Sequence, residues 1–175
     1  MKRKIILFIA MTLDGYIADD QDQLEFLDPF NDVKINIENY ESLMNRVDAL
    51  IIGRKTFDTI SKLVDKWPYE NHHTYVITSR PKENQKNITY VNEQLETFIS
   101  KLDRDSKKDL WLVGGGMLAS SFMEKSFIDE YQITLIPKIL GSGKKLFNSI
   151  SNMIDLDLKN VQHEGQIVHL TYIKK

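Results

Sequence analysis

Short apolar runs of strand length, each closed by a glycine or a polar turn, recur along this 175-residue chain. Segments with helical spacing separate most of them. Strands that read as continuous apolar runs are buried on both faces, and their alternation with helices is typical of βαβ units with parallel strands. The runs occupy residues 4–11, 49–52, 73–78, 88–91 and 110–113. The chain is therefore predicted to fold around a largely parallel sheet.

Helical periodicity predicts which residues cover that sheet. One helix leads directly into the second run, another spans residues 55–63, and Asn92 is a favourable N-cap for a third. A fourth follows the last of the five runs. Three of the inner faces are Tyr40, Leu43, Met44 and Val47; Leu95, Phe98, Ile99 and Leu102; and Leu118, Phe122 and Met123.

Near the C-terminus the pattern changes to strict alternation of apolar and polar residues, at positions 131–135 and 168–172. Alternation of this kind predicts antiparallel strands, and residues 163–166 fit the turn of a hairpin. We predict one α/β domain over residues 1–175. Its architecture is a three-layer α/β/α fold on a mixed, mostly parallel sheet with antiparallel C-terminal strands.

Residues 18–39 are acidic and irregular, and include the pair Asp28-Pro29. This composition predicts a long loop. Long loops in compact domains are usually functional or disordered, so we expect this one to act as a lid.

The composition excludes several functions. The absence of cysteine removes disulfides, thiolate catalysis, iron–sulfur ligation, sulfur-bound zinc and the paired-cysteine signature of zinc deaminases. The four histidines have no metal-ligand spacing, so no metal is expected. A net charge of -2 provides no general attraction for nucleic acid, and no stretch approaches the roughly 20 apolar residues of a membrane span. We expect a cytoplasmic protein with a small-molecule substrate.

Of the eight glycines, all except Gly165 in the predicted hairpin lie at or just beyond the ends of predicted strands, where open α/β sheets bind ligands. Gly114, Gly115 and Gly116 would let backbone N–H groups approach a pyrophosphate at the start of a helix, although a tight turn is the alternative. Gly53 is followed by Arg54, Lys55 and Thr56, a second anion-binding candidate whose alternative is a solvated first turn. Thr78, Ser79 and Arg80 suit a phosphate monoester.

Several carboxylates around the acidic segment are candidates for a general acid: Asp14, Glu25, Asp28, Asp32 and Glu38. Asp14 precedes Gly15, and Asp-Gly is a favoured turn pair. A structural role is therefore its main alternative, and solvated loop charge is the alternative for the others.

Five segments, taken in order, resemble the dihydrofolate-reductase-like superfamily. They are residues 11–18 (MTLDGYIA), 51–57 (IIGRKTF), 76–80 (VITSR), 112–116 (LVGGG) and 135–141 (LIPKILG). They are most similar to the C-terminal reductase domain of the bifunctional riboflavin-biosynthesis deaminase/reductase. The resemblance implies an NADPH-dependent reductase, with a homodimer as the usual assembly, and only the reductase part is expected.

The resemblance also implies roles for particular residues. Ala10 and Ile17 would flank the nicotinamide, and Thr78, Ser79 and Arg80 would bind the adenosine 2′-phosphate. The remaining cofactor contacts, to the phosphates and pyrophosphate, would come from Gly53, Arg54, Lys55, Thr56, Val113, Gly114, Gly115, Gly116 and Met117.

The chain departs from the family pattern on the substrate side. The carboxylate that assists protonation in dihydrofolate reductases would fall on Ile37, beside Glu38. We name Asp14 and Glu38 as catalytic candidates. Residues 24–29 replace the tryptophan-containing substrate loop, and the riboflavin enzyme's Asp-Asp-Pro segment has no counterpart after Thr56.

The first hypothesis is hydride transfer from NADPH to a C=N or C=O carbon of a small heterocycle, ribosylaminopyrimidine-like or pterin-like. This resembles the reduction of 5-amino-6-(5-phosphoribosylamino)uracil in riboflavin biosynthesis. The alternative is a non-catalytic, NADPH-binding regulatory protein. A third hypothesis is a phosphate-sugar enzyme that uses the glycine loops without a nicotinamide.

Overall fold

The predicted apolar runs form the centre of one eight-stranded sheet, with strand order β5-β4-β3-β6-β1-β7-β10-β9. A computed structural model describes residues 3–102 and 108–175. The strands are β1 (Ile5–Thr12), β2 (Tyr16–Ala18), β3 (Val47–Gly53), β4 (His73–Ile77), β5 (Ile88–Val91), β6 (Asp109–Gly114), β7 (Glu130–Ile136), β8 (Lys144–Lys145), β9 (Leu156–Glu164) and β10 (Ile167–Lys174). The helices are a 3-10 helix (Glu25–Phe30), α1 (Lys34–Arg46), α2 (Arg54–Leu63), α3 (Leu95–Lys101) and α4 (Gly116–Glu124).

All neighbouring pairs from β5 to β7 are parallel. Strand β10 lies antiparallel to both β7 and β9, so the sheet ends in the antiparallel strands that the C-terminal alternation predicts. The short strands β2 and β8 pair separately. The predicted mixed, mostly parallel sheet is confirmed.

Helices cover both faces of the sheet, which confirms the three layers. Leu43 of α1 packs with Ile6 and Leu50 on one face, where Phe57 of α2 packs with Ile52. On the opposite face the core contains Phe98 of α3 and Phe122 of α4. They pack with the alternate strand residues, whose side chains point to this face, such as Leu7 and Ile51. Each fully buried side chain of this size contributes about 1.5–3 kcal/mol through burial.

The predicted loop over residues 18–39 is wrong in its second half. A 3-10 helix spans Glu25–Phe30, and α1 begins at Lys34. Within the first turn of α1, the backbone N–H of Ile35 donates to Glu164 Oε2 over 2.8 Å. This cap comes from β9, 129 residues away, so no local pattern announces where the helix starts.

The predicted N-cap at Asn92 is also wrong. Strand β5 ends at Val91 and α3 begins at Leu95, with Gln94 in the N-cap position and no side-chain cap. The inner face is placed correctly, because Leu95 and Phe98 are both buried. The position of the helix is thus determined by burial of its apolar face and not by the polar residue that precedes it.

Asp14 fastens the turn after β1 to the loop after β7. Its carboxylate accepts hydrogen bonds from Thr12 Oγ1 at 2.6 Å, from the Leu140 N–H at 3.1 Å and from the Gly141 N–H at 2.8 Å. Desolvation opposes ionisation, but these hydrogen bonds outweigh it and lower the pKa of Asp14 to about 2. The turn that the Asp14-Gly15 pair predicts is present, with Gly15 at φ 86°.

Replacing Asp14 by Asn should lower the melting temperature at pH 7. The carboxyl's pKa falls from 3.8 to about 2 on folding, so its stabilisation is present above pH 3.8 and is lost as pH falls through 2. The difference between wild type and Asp14→Asn should therefore shrink over that range in thermal melts. The exposed Asp65 is the control, and Asp65→Asn should melt like wild type. Equal melting of Asp14→Asn and wild type at pH 7 would contradict this assignment.

Candidate functional site

The carboxyl ends of four adjacent parallel strands, β4, β3, β6 and β1, lie along one edge of the sheet. Most of the residues predicted to bind a cofactor fall on or just beyond these ends. They are Ala10 in β1; Gly53, Arg54, Lys55 and Thr56 at the β3–α2 junction; Thr78, Ser79 and Arg80 after β4; and Val113, Gly114, Gly115, Gly116 and Met117 at the β6–α4 junction. Strand pairing brings together residues that are far apart in sequence.

Two strand–helix junctions contact each other at this edge. A Cβ added to Gly53 would lie 3.7 Å from the carbonyl oxygen of Gly114, and one added to Gly115 would lie 2.9 Å from Thr56 Oγ1. Gly114 and Gly115 have φ values of 113° and 22°, which L side chains rarely adopt. Glycine at position 115 therefore permits both the positive φ value and the close approach of Thr56.

Gly116 packs against a segment that sequence reasoning did not connect to the site. A Cβ at this position would meet the carbonyl oxygen of Lys145 at 2.5 Å and Ile17 Cδ1 at 3.6 Å. Antiparallel pairing of β2 with β8 places Tyr16 opposite Lys145. Ile17, predicted to flank a nicotinamide, therefore lies beside the start of α4.

Both helices that begin at this edge leave their first N–H groups without a side-chain cap. Gly53 and Gly115 are the N-cap residues of α2 and α4. Uncapped N–H groups and the positive end of the helix dipole together favour an anion. Met117, in the first turn of α4, is 85% exposed.

The cations after β3 have carboxylate partners. Arg54 Nε donates to both carboxylate oxygens of Asp58, at 2.8 and 2.7 Å, and the guanidinium lies 5.6 Å from the Tyr90 ring centroid. Lys55 Nζ donates to Asp22 Oδ2 over 2.6 Å, and this contact lowers the pKa of Asp22. The pairing of Arg54 with Asp58 could have been predicted from their i,i+4 spacing on a helix. The pairing of Lys55 with Asp22 could not, because the two residues are far apart in sequence.

Thr78 organises the loop after β4. Its Oγ1 accepts the backbone N–H of Arg80 at 3.0 Å. Ser79 and Arg80 are exposed, and among residues 3–102 and 108–175 no carboxylate pairs with Arg80. Its guanidinium is thus available to an exogenous anion.

The two candidate proton donors are placed outside this cluster. The side chain of Glu38 is 61% exposed and pairs with Lys34 at 3.4 Å on α1. Asp14 is committed to the turn described above and, with a pKa of about 2, has no proton to give at neutral pH. Neither geometry favours a general acid.

On the face covered by α1 and α2, burial decreases toward the carboxyl ends of the strands. Ile6 and Leu50 on this face are completely buried, whereas Phe8, Ala10 and Val113, nearer the carboxyl ends, are only partly buried. An aromatic cluster on this face, which sequence reasoning missed, consists of Tyr40, Trp67, Tyr69 and Trp111. Apolar and aromatic side chains with few polar groups are typical of the lining of sites for small planar molecules.

Within residues 3–102 and 108–175, no three His, Asp or Glu side chains are grouped closely enough to hold a metal ion. The helices in these ranges are all too short or too polar to cross a membrane.

The chain resembles two full-length bacterial proteins. It is 36% identical over 175 residues to the uncharacterized protein YwjB of Bacillus subtilis (strain 168), a match that covers 99% of each chain. The uncharacterized protein YyaP of the same strain is 27% identical over 185 residues, covering 98% of this chain and 95% of that protein.

Solved structures show the same fold. A Shewanella sp. PV-4 protein whose name refers to riboflavin biosynthesis has a TM-score of 0.87 and 29% identity, covering 100% of this chain and 99% of that one. The Thermotoga maritima diaminohydroxyphosphoribosylaminopyrimidine deaminase/5-amino-6-(5-phosphoribosylamino)uracil reductase has a TM-score of 0.73 at 17% identity. The match covers 99% of this chain and 57% of that one, and at this identity it shows the fold alone.

The model of the RibD C-terminal domain family matches residues 3–170. The mixed sheet, with its parallel centre and antiparallel C-terminal strands, is the dihydrofolate-reductase-like arrangement of that family. With sequence and fold in agreement over almost the whole length, the chain belongs to the RibD C-terminal domain family, an oxidoreductase-type domain.

Proposed function

We propose that the protein is an NADPH-dependent reductase that transfers hydride to a C=N or C=O carbon of a small heterocycle, ribosylaminopyrimidine-like or pterin-like. One observation carries the proposal. Two uncapped helix N-termini meet at glycines 53, 114 and 115 on the carboxyl edge of a parallel sheet. That junction provides several backbone donors for a pyrophosphate.

The residues at this edge fit a dinucleotide phosphate. Gly114, Gly115 and the first turn of α4 would bind the pyrophosphate, with Thr56 beside them. Arg80 and the hydroxyls of Thr78 and Ser79 would bind the 2′-phosphate, because Arg80 is exposed and lacks an acidic partner among the described residues. When bound, NADPH supplies the hydride, and the chain supplies position and shielding from water.

The substrate would lie beside the aromatic cluster. Ala10 and Val113 are partly buried apolar residues on the same face, and a planar heterocycle lying on them would be next to the strand ends where the nicotinamide is proposed to lie. Ile17 would cover the nicotinamide, because its Cδ1 already lies against the start of α4. The segment around Asp22 would close the phosphate side through Lys55.

The proposal includes a cytoplasmic homodimer. Strand β9 ends the sheet and exposes Leu158 and Val161 along an edge on which the described residues form no further strand pair. Such an edge favours pairing with another chain.

A non-catalytic NADPH-binding protein is the second candidate function. The observation that favours it is the placement of the two candidate acids, since Glu38 is exposed in an ion pair and Asp14 is bound to a loop. It predicts cofactor binding without turnover.

Binding measurements test the cofactor. NADPH should bind more tightly than NADH, and Arg80→Ala should weaken NADPH roughly 10–100-fold while leaving NADH unchanged, because one charge-assisted contact contributes about 1.5–3 kcal/mol. Lys82→Ala removes a nearby exposed cation and is the matched control. Equal losses for both cofactors in Arg80→Ala would remove the 2′-phosphate role.

Gly115→Ala tests the glycine junction. Its added Cβ would lie 2.9 Å from Thr56 Oγ1, so Thr56 must move and the space for a pyrophosphate narrows. We expect at least a tenfold loss of NADPH affinity by fluorescence titration. Gly165→Ala, also at positive φ (56°) but with nothing within 4 Å, controls for backbone strain and should keep NADPH affinity. Unchanged affinity in Gly115→Ala would place the pyrophosphate elsewhere.

Stopped-flow absorbance of NADPH tests turnover. Dihydrofolate, dihydropterin and a phosphoribosylaminopyrimidine are the acceptors, and at least one should be reduced at about 1 s⁻¹ or faster, as is typical of enzymes. Binding of NADPH without oxidation by any acceptor would support the non-catalytic candidate. Failure to bind either nicotinamide cofactor would exclude both candidates.

A further inference from the structure

A short loop between β2 and the 3-10 helix places an aspartate against the first turn of α2. Asp22 Oδ2 accepts a hydrogen bond from Lys55 Nζ over 2.6 Å, across 33 residues of sequence. Lys55 precedes Thr56, and a Cβ on Gly115 would lie 2.9 Å from Thr56 Oγ1. The Asp22 carboxylate therefore contacts a cation next to the glycine junction, where the pyrophosphate is proposed to bind.

The loop that presents Asp22 is closed by its own hydrogen bonds. The carboxylate of Asp19 accepts the N–H groups of Gln21 and Gln23, each at 2.8 Å. The Asp19 N–H donates in turn to the Gln23 carbonyl oxygen at 3.1 Å. Asp22 has a φ of 65°, a left-handed conformation that aspartate and asparagine adopt more readily than most other L residues. Local hydrogen bonds thus fix the backbone at Asp22.

A second contact attaches the loop to the segment before β8. Ser142 Oγ donates to Asp20 Oδ2 at 2.6 Å. Among residues 3–102 and 108–175, the contact of Lys55 with Asp22 is the one hydrogen bond between residues 19–23 and α2. The loop can therefore separate from α2 at this single contact while its attachment to Ser142 remains.

The start of α2 requires negative charge from elsewhere. Arg54 and Lys55 lie in its first turn, which contains no acidic residue, and cations there oppose the helix dipole. Asp58 pairs with Arg54, and Asp22 pairs with Lys55. The hydrogen bond from Lys55 lowers the pKa of Asp22, and the charge of Lys144 adds to this effect. Asp22 is therefore ionised at neutral pH and supplies one of the missing negative charges.

Resting on the proposed function, we infer that Asp22 is an autoinhibitory substitute for a ligand phosphate and competes with it for Lys55. A pyrophosphate at the glycine junction carries more negative charge and more acceptor oxygens than one carboxylate, so it takes over the Lys55 ammonium and repels Asp22. The side chain of Lys55 is 75% exposed and that of Asp22 is 36% exposed, and pairs this exposed are weak enough to be exchanged. Closure of the phosphate side through Lys55 therefore precedes cofactor binding, and the cofactor reopens it.

Asp22→Asn tests the competition, because asparagine tolerates the left-handed conformation and removes the charge. NADPH should bind this variant about 2–5-fold more tightly than wild type in fluorescence titrations at low ionic strength, the range expected for loss of an exposed ion pair. Asp32→Asn removes another exposed carboxylate and is the matched control, with wild-type affinity expected. Unchanged or weaker NADPH binding by Asp22→Asn would overturn the inference.

A double-mutant cycle with Lys55→Met tests whether Asp22 acts through the shared ammonium. The gain in NADPH affinity caused by Asp22→Asn should shrink to less than half in the Lys55→Met background, because no ammonium is left to compete for. Lys62→Met removes an exposed cation from the far end of α2, and in this background the gain should persist. An equal gain with and without Lys55 would assign the effect to long-range repulsion and overturn the exchange.

A spin label on the loop reports the exchange directly. The chain has no cysteine, so Gln21→Cys provides a single labelling position on an exposed residue. Inorganic pyrophosphate and NADPH should each increase the mobility of the label, and Asp22→Asn should show the mobile spectrum before either is added. A label whose mobility is unchanged or reduced by bound NADPH would overturn the inference.

The two probes separate this inference from the reductase proposal. Release of the loop by pyrophosphate, with no NADPH oxidation by any acceptor, would support the exchange at Lys55 and reject the reductase. Oxidation of NADPH by wild type, with no gain in affinity and no release of the loop, would do the reverse. Failure of both probes to bind wild type and Asp22→Asn would overturn the exchange together with the pyrophosphate site.

Discussion

Burial of parallel strands on both faces is the constraint on which the rest of the structure depends. Each connection between two parallel strands must run back along the sheet to the end where the strands begin. Every strand from β5 to β7 therefore ends at the same edge, the carboxyl edge. The helices that follow β3 and β6 then begin there, with their unpaired N–H groups at that edge. The topology alone therefore favours a negatively charged ligand at this edge, before any charged side chain is considered.

The charged side chains at that edge are already partly engaged with one another, so they would adjust anion binding by the backbone rather than create it. Two of the predicted cations already have partners, Arg54 with Asp58 and Lys55 with Asp22. An anion arriving near Lys55 must share that ammonium with Asp22, which links ligand binding to the position of the acidic segment. Such exposed pairs contribute about 1 kcal/mol or less, so the segment can exchange partners without a large change in stability.

The sequence predicted those parts of the fold that local patterns encode. Apolar runs located the central strands, and glycines located the carboxyl ends of β3 and β6. The start of α1 depends on Glu164 reaching Ile35 from β9, and β2 and β8 are too short to show alternation. The aromatic cluster was missed for a similar reason. Tyr40, Tyr69 and Trp111 meet only through tertiary packing, and each alone reads as an ordinary core or surface aromatic.

The surroundings of Glu38 and Asp14 determine whether either carboxyl could donate a proton. A carboxylic acid that donates a proton must be neutral when the substrate binds, and in water at pH 7 it is ionised. Keeping it neutral requires burial, but Glu38 is exposed and Asp14 is held ionised by its hydrogen bonds. A hydride transfer at this edge would therefore need its proton from a group other than these two carboxylates, or from water.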